Sequence, residues 1–458
     1  MKKNMINIEK ILAVLLSVLL LPIAFGTAAA ENEARRMETA ADADAWIAVF
    51  LGDHPEELEG AWLMTPQMEA AAASLGGMQG MVRSLAALGA VEKIEAAYEG
   101  EVQGYKAFFI PCVFGLMPVD LILVAQDGAI AGLSTGPYTG GRQEETDAGA
   151  FSSVELALPV PALKGELPGI LTLPKGDGPF PAVVLVHGSG PNDRDETMMS
   201  LKPFRDLAEG LAERGIAVYR YDKRTYVYGI EMAADRQITL EEETIEDAVA
   251  AVRLLAGQES IDPGRIFVLG HSLGGNAIPA IAAALKDQPI RARGFIMMAA
   301  SPRPLDVLMR EQTEFLYALL PEITAEQQAE KDALFAELDK LKDLDALTDD
   351  DTVAGVYAPY WKWLAAYDIA GTAQAMTEPC LLLQGEEDYQ VTMVDFGIWK
   401  EALEGKDNWR LISYPGLTHP FTPGQKSEGS AAYTRAEKVD TRVIEDIAGF
   451  IRQADIEP

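Results

Sequence analysis

The sequence predicts an α/β protein: a mainly parallel sheet with helices on both faces and a helical lid insertion, preceded by a small α+β domain. Three observations carry that expectation. From Pro181 onward, short runs of valine, isoleucine and leucine alternate with stretches of helical periodicity. Strands returned one by one by helices lie parallel and are covered on both faces. Between Ala40 and Tyr138 the order is instead helices first and strands after. Finally, RIFVLGHSLGGN at 265–276 runs from an apolar strand, through a glycine-flanked serine, into a helix of small residues.

Taken in order, the 458 residues are enough for two or three domains at ~150 residues each. Lys2, Lys3 and Lys10 flank the start of an apolar run from Ile11 to Phe25, and Ala28-Ala29-Ala30 precedes Glu31. That is the pattern of a secretory signal peptide over residues 1–30, and the run falls short of the ~20 residues a membrane span needs. The expectation is a protein secreted or held in the cell envelope, with no stable membrane anchor after cleavage; an uncleaved anchor is the alternative. A net charge of −32 argues against nucleic acid and anionic membranes as partners, since both call for exposed lysine and arginine. The two cysteines, Cys112 and Cys380, each lie within an apolar run and read as buried free thiols.

Residues 38–138 form the small α+β domain. Trp46, Val49, Phe50, Met81, Leu85 and Leu88 fall at helical spacings, followed by strands over Val91–Tyr98, Tyr105–Phe114, Val119–Ala125 and Ala129–Leu133. Asp127-Gly128 is a type I′ hairpin turn. His54, Phe108, Phe109 and Phe114 read as surface or core residues, having no chemical partners nearby in the pattern. Two roles are open to this domain: pairing two chains into a homodimer through its sheet, or shaping the mouth of a pocket.

Residues 139–152, TGGRQEETDAGAFS, have the composition of a linker. The second domain, 153–458, begins with a hairpin over Leu156–Val160 and Leu167–Leu173. Strands over Ala182–His187, Ile216–Tyr221, Ile266–Leu269 and Phe295–Ala300 alternate with helices over Pro203–Arg214, Glu241–Leu255 and Asn276–Leu285. Thr239 and Glu242 make a capping box. Residues 302–379 interrupt this alternation with a charged helical stretch and then Tyr357, Tyr360, Trp361 and Trp363, as a lid would. The alternation resumes with strand Cys380–Gln384, helix Met393–Leu403, strand Trp409–Tyr414 and a closing helix Val439–Arg452.

The chemistry starts from Ser272. A nucleophile elbow holds its serine in a strained turn between strand and helix, and flanking glycines remove the side chains that would collide there. A serine hydroxyl needs a base, and the base needs an orienting carboxylate. The chain has four histidines. His54 is in the other domain, His187 ends a strand, and His271 adjoins the serine and points away from it. His419, in the loop after strand Trp409–Tyr414, is left as the base. The carboxylate should follow the strand that ends at Gln384, where Glu386, Glu387 and Asp388 stand together. Asp388 is preferred because the glycine turn must first lead the chain outward, and Asp306 is the outside candidate. The backbone N–H groups of Leu273 and of Ser189, in the His187–Pro191 loop, are the candidate oxyanion donors. Asn192, Arg194, Lys223 and Trp361 are candidate substrate contacts. For the charged residues among them a structural role as loop ion pairs is the preferred reading, and for Trp361 packing in the lid core serves equally well. No cofactor is expected, and the chain lacks the paired histidines or thiolates of a zinc site.

VLVHGSGPNDRDET (184–197), YDKRTYVYG (221–229), GHSLGGN (270–276), GEEDYQVT (385–392) and YPGLTHPF (414–421) together resemble a bacterial family of secreted α/β-hydrolase esterases, whose members often carry a small α+β domain of unknown function. The resemblance covers essentially the whole mature chain. It implies carboxylesterase activity on short-chain or small aromatic acyl esters, with Ser272, Asp388 and His419 at the matching triad positions. Thr418 departs from the asparagine expected before the histidine, which puts one supporting hydrogen bond in question. The alternatives are a secreted serine peptidase or acyltransferase on the same fold, and a surface-binding protein without catalysis.

Overall fold

The computed structural model describes residues 34–85, 90–102, 105–114, 118–137, 149–160, 165–286, 288–320 and 322–454. The expected signal segment, Leu88 and most of the expected linker lie outside them. The chain divides into two compact units, residues 1–144 and 145–458.

In the first unit, helices Ala40–Phe50, Pro66–Leu75 and Gly77–Ser84 precede five antiparallel strands. Thr39 and Asp42 cap the first helix reciprocally, and Thr65 caps the second ahead of Pro66 at its first position. Tyr105–Phe114 is the central strand. One edge of it pairs with Pro118–Gln126, and the other with Val91–Ile94 and Tyr98–Val102, where one continuous strand was expected. Asp127 and Gly128 both take positive φ, 50° and 77°, as a type I′ turn requires. Phe108, Ile110, Leu121 and Leu123 of the sheet bury against Trp46 and Phe50, and Phe109 stacks on Tyr98.

In the second unit we number the strands of one eight-stranded sheet: β1 Phe151–Glu155, β2 Gly169–Pro174, β3 Phe180–Val186, β4 Ala217–Tyr221, β5 Ile261–His271, β6 Gly294–Met298, β7 Cys380–Gly385 and β8 Trp409–Tyr414. Their order is β8-β7-β6-β5-β3-β4-β2-β1. β3 to β8 are parallel, while β2 runs antiparallel to both β4 and β1. Alternate residues of each central strand face opposite cores. Val184, Val186, Val268 and Leu382 pack with helices Glu246–Ala256 and Leu273–Lys286, whereas Val183, Leu185, Leu269 and Leu383 pack with helices Pro203–Ala212 and Thr441–Ala454. Such near-continuous apolar strands are what a doubly covered parallel sheet requires.

Two local differences from the expected elements have physical causes. The opening hairpin is split: Leu158–Val160 pairs with Gly165–Leu167 as a separate ribbon, while β2 pairs with β1, which begins inside the expected linker. Pro168 has no N–H to continue a ladder from Leu167 into Gly169, and buried Phe151 anchors β1. β5 starts five residues early because Ile261 pairs with Phe180. A register shift absorbs the polar Asp262–Arg265 stretch that hid the strand.

The insertion between β6 and β7 carries helices Leu305–Ala318, Ala325–Asp339, Ala358–Ala366 and Ile369–Gln374. Its stem is tied down by Arg303, whose guanidinium grips the buried Asp395 carboxylate through two bonds of 2.8 Å. Among the described residues no helix is long and apolar enough to cross a membrane.

Candidate active site

The loops following β3, β5, β7 and β8 come together at the carboxyl ends of the parallel strands, where open α/β sheets bind ligands. Ser272 is the hinge between β5 and helix Leu273–Lys286. Its φ of 53° is one that non-glycine residues adopt only under tertiary constraint. Its N–H donates to the Met298 carbonyl at 2.8 Å, and its carbonyl accepts from Asn276 at 2.9 Å, so the turn is pinned on both sides. The flanking glycines are steric necessities. A Cβ on Gly274 would stand 2.2 Å from the Val186 carbonyl oxygen, and one on Gly270 would stand 2.2 Å from that of Gly274.

The three adjacent acids separate cleanly. Glu386 accepts from the Ser413 hydroxyl and Glu387 from the Lys426 N–H, while Asp388 Oδ2 lies 2.7 Å from His419 Nδ1. Asp388 also accepts from the N–H groups of Gln390 and Val391 and from the Gln384 amide. With His419 these make four polar partners for one buried carboxylate. Asp306 lies in the first turn of helix Leu305–Ala318. Thr418 bonds to the Thr422 carbonyl, closing the loop that carries His419.

His419 is brought to the elbow by its neighbours. The His271 Nε2 lies 3.1 Å from the His419 carbonyl, and the two rings are 4.7 Å apart. On its other side, His271 Nδ1 is 2.9 Å from Glu196 Oε2. Both groups are fully buried. Burial alone would push the His271 pKa down and the Glu196 pKa up, but each charge holds the other, so His271 lies above and Glu196 below its ordinary range. Glu196 Oε1 also accepts the Gly188 N–H at 2.6 Å. His187 is different: it packs against Phe204 and Tyr221, and burial drives its pKa down to about 4, so it is a neutral core residue at neutral pH.

The Ser189 N–H stands in an exposed loop directly after Gly188, and Leu273 opens a helix, where N–H groups have no intrahelical acceptor. A Cβ on Gly188 would be 3.1 Å from the Ser272 Cβ, so this loop lies against the serine with no side chain between. The candidate substrate contacts are engaged elsewhere. Asn192 donates its amide to the carbonyls of Gly188, Ser189 and Gly190, and Arg194 makes a bidentate pair with Asp222. Lys223 is buried between Gly188 and Glu243. Trp361 lies in the insertion's own core with Leu338 and Val353, its indole N–H on the Val353 carbonyl. The structure therefore gives all four loop- or core-holding partners. Sequence reasoning missed Glu196 and the bonding of His271. Glu196 stands in the DRDET stretch among other acids, and nothing in its spacing marks it as buried.

Fold and site together define an α/β protein with a serine in a strained strand-to-helix turn and a carboxylate–histidine pair above one end of its sheet. Residues 183–429 match the model of the alpha/beta hydrolase family, and the chain belongs to that family. Over 285 residues it is 41% identical to esterase EstD of Thermotoga maritima, a match covering 62% of this chain and 65% of that protein. It thus spans a little under two thirds of that relative's length. Among solved structures, Est1E from Butyrivibrio proteoclasticus is 16% identical over 66% of this chain and 99% of its own, with a TM-score of 0.42. A hyperthermophilic esterase from Pyrobaculum calidifontis is 15% identical over 67% and 87%, with a TM-score of 0.43.

Proposed function

We infer that this protein is a serine carboxylesterase that hydrolyses short-chain or small aromatic acyl esters. The observation that carries the reading is the buried 2.7 Å contact between Asp388 and His419, on a loop whose carbonyl is tied to the residue preceding Ser272. The 41% identity to an esterase supports an ester over an amide as the bond cleaved.

In this mechanism Ser272 Oγ attacks the ester carbonyl carbon while His419 Nε2 takes its proton. Asp388 holds the proton on Nδ1, fixing the tautomer that leaves Nε2 free as a base, and stabilises the imidazolium that forms. The carbonyl oxygen gains charge between the N–H groups of Ser189 and Leu273, each worth ~3 kcal/mol. His419 then gives the proton to the leaving alcohol, and water, activated the same way, releases the acid from Ser272.

The test is an ester panel from acetyl to long-chain and aromatic acyl groups, run with peptides and acyl acceptors in parallel. Turnover restricted to esters and lost in Ser272→Ala supports the reading; cleavage of peptides instead defeats it. Residues 1–30 are proposed as an export signal, so the recovered extracellular or envelope protein should begin near Glu31, as N-terminal sequencing would read directly.

A further inference from the structure

Lys223 follows β4, faces no solvent to speak of, and has no part in the mechanism above. Its ammonium donates to the Gly188 carbonyl at 2.8 Å and to Glu243 at 2.5 Å. The other oxygen of Glu243 accepts the Tyr360 hydroxyl at 2.6 Å, and Tyr360 belongs to the insertion. The Lys223 N–H also donates to the Asn192 carbonyl, at the far end of the same loop. A buried cation with one carboxylate partner is costly unless the geometry is specific, and here its further bond goes to a single backbone carbonyl beside the nucleophile.

That carbonyl matters because a peptide unit is planar and trans. Its C=O and the N–H of the next residue point in opposite directions. Holding the Gly188 oxygen toward Lys223 therefore turns the Ser189 N–H the other way. The Gly188 N–H cannot substitute, because Glu196 already takes it.

We propose that Lys223, braced by Glu243 and the insertion's Tyr360, is a positioning residue that fixes the Gly188–Ser189 peptide so that the Ser189 N–H serves as an oxyanion donor. The proposal rests on the serine-hydrolase reading of Ser272. It makes the insertion more than a cover: displacing Tyr360 loosens the lysine that orients the donor.

The test compares wild type, Lys223→Met and the double variant Lys223→Met/Glu243→Gln, which removes the charge the single change would strand and keeps an acceptor for the Tyr360 hydroxyl. Readouts are kcat and KM on a short-chain nitrophenyl ester, the affinity for a trifluoromethyl ketone whose adduct carries an oxyanion, and thermal midpoint. The expected result for Lys223→Met is a kcat lower by ~30-fold, KM within about threefold, and ketone affinity falling in step with kcat/KM. The double variant should recover thermal midpoint without recovering kcat. Full recovery of kcat in the double variant, or an unchanged kcat and ketone affinity in Lys223→Met, overturns the proposal. Phosphonylation of Ser272 by a fluorophosphonate needs the donors but no ester. If wild type ignores esters and Lys223→Met is still phosphonylated more slowly, positioning stands and only the ester reading fails. A wild type that is not phosphonylated overturns both.

Discussion

Asp388 illustrates how much one residue's surroundings decide. Three acids share the turn after β7, and only the third reaches His419. In the proposed mechanism Asp388 holds a tautomer, so Asp388→Asn should preserve the fold and KM while kcat falls by ~10³–10⁴, measurable by steady-state kinetics. The candidate site of Ser272, Asp388 and His419 was legible in the sequence because each sits where a strand's carboxyl end meets a loop, and few histidines compete. The sequence could not reveal Glu196 or Lys223 as buried. Periodicity reports which apolar residues face a core, but says nothing about a charged side chain folded inward onto a backbone group. The pair of Glu196 with His271, and the grip of Lys223 on Gly188, depend on three separate loops arriving together.

At the level of elements, close approach and buried charge set the tolerances. Gly274 lets its helix descend onto the end of β3, where an added Cβ would stand 2.2 Å from the Val186 oxygen and 2.5 Å from the His187 oxygen. Backbone cannot yield there as a side chain could, so Gly274→Ala should destabilise by ~3 kcal/mol or more in denaturant titrations. Asp206, in helix Pro203–Ala212, accepts the Val439 N–H near the start of the closing helix. Burial, partly offset by that bond, raises its pKa to about 6. A carboxyl raised on folding binds its proton more tightly in the native state, so its contribution is fully present below its unfolded pKa and is lost as pH rises through about 6. Asp206→Asn should therefore leave the thermal midpoint unchanged near pH 4 and raise it above pH 7; an equal shift at both would contradict this. Strands Tyr105–Phe114 and Trp409–Tyr414 were readable to the residue, being apolar runs with clear turns. β1 was not, because it hides in a polar stretch and draws its order from pairing with β2.

For the whole molecule, each unit encloses its own core: Trp46, Phe50 and Phe108 in the first, and the two faces of the β1–β8 sheet in the second. Every residue given a role in the chemistry belongs to the second unit. A chain of residues 149–458 should thus unfold cooperatively and keep kcat within about threefold of the full protein, as calorimetry and kinetics would show. A net charge of −32 adds self-repulsion that salt relieves, so raising ionic strength should stabilise the full chain. The most direct test of the central claim is intact-mass and peptide mapping after treatment with a fluorophosphonate. One adduct per chain is expected, located on Ser272, with ester hydrolysis lost in proportion and no adduct in Ser272→Ala; labelling at another residue, or a Ser272→Ala variant that still hydrolyses ester at the wild-type rate, would contradict the assignment of Ser272 as nucleophile.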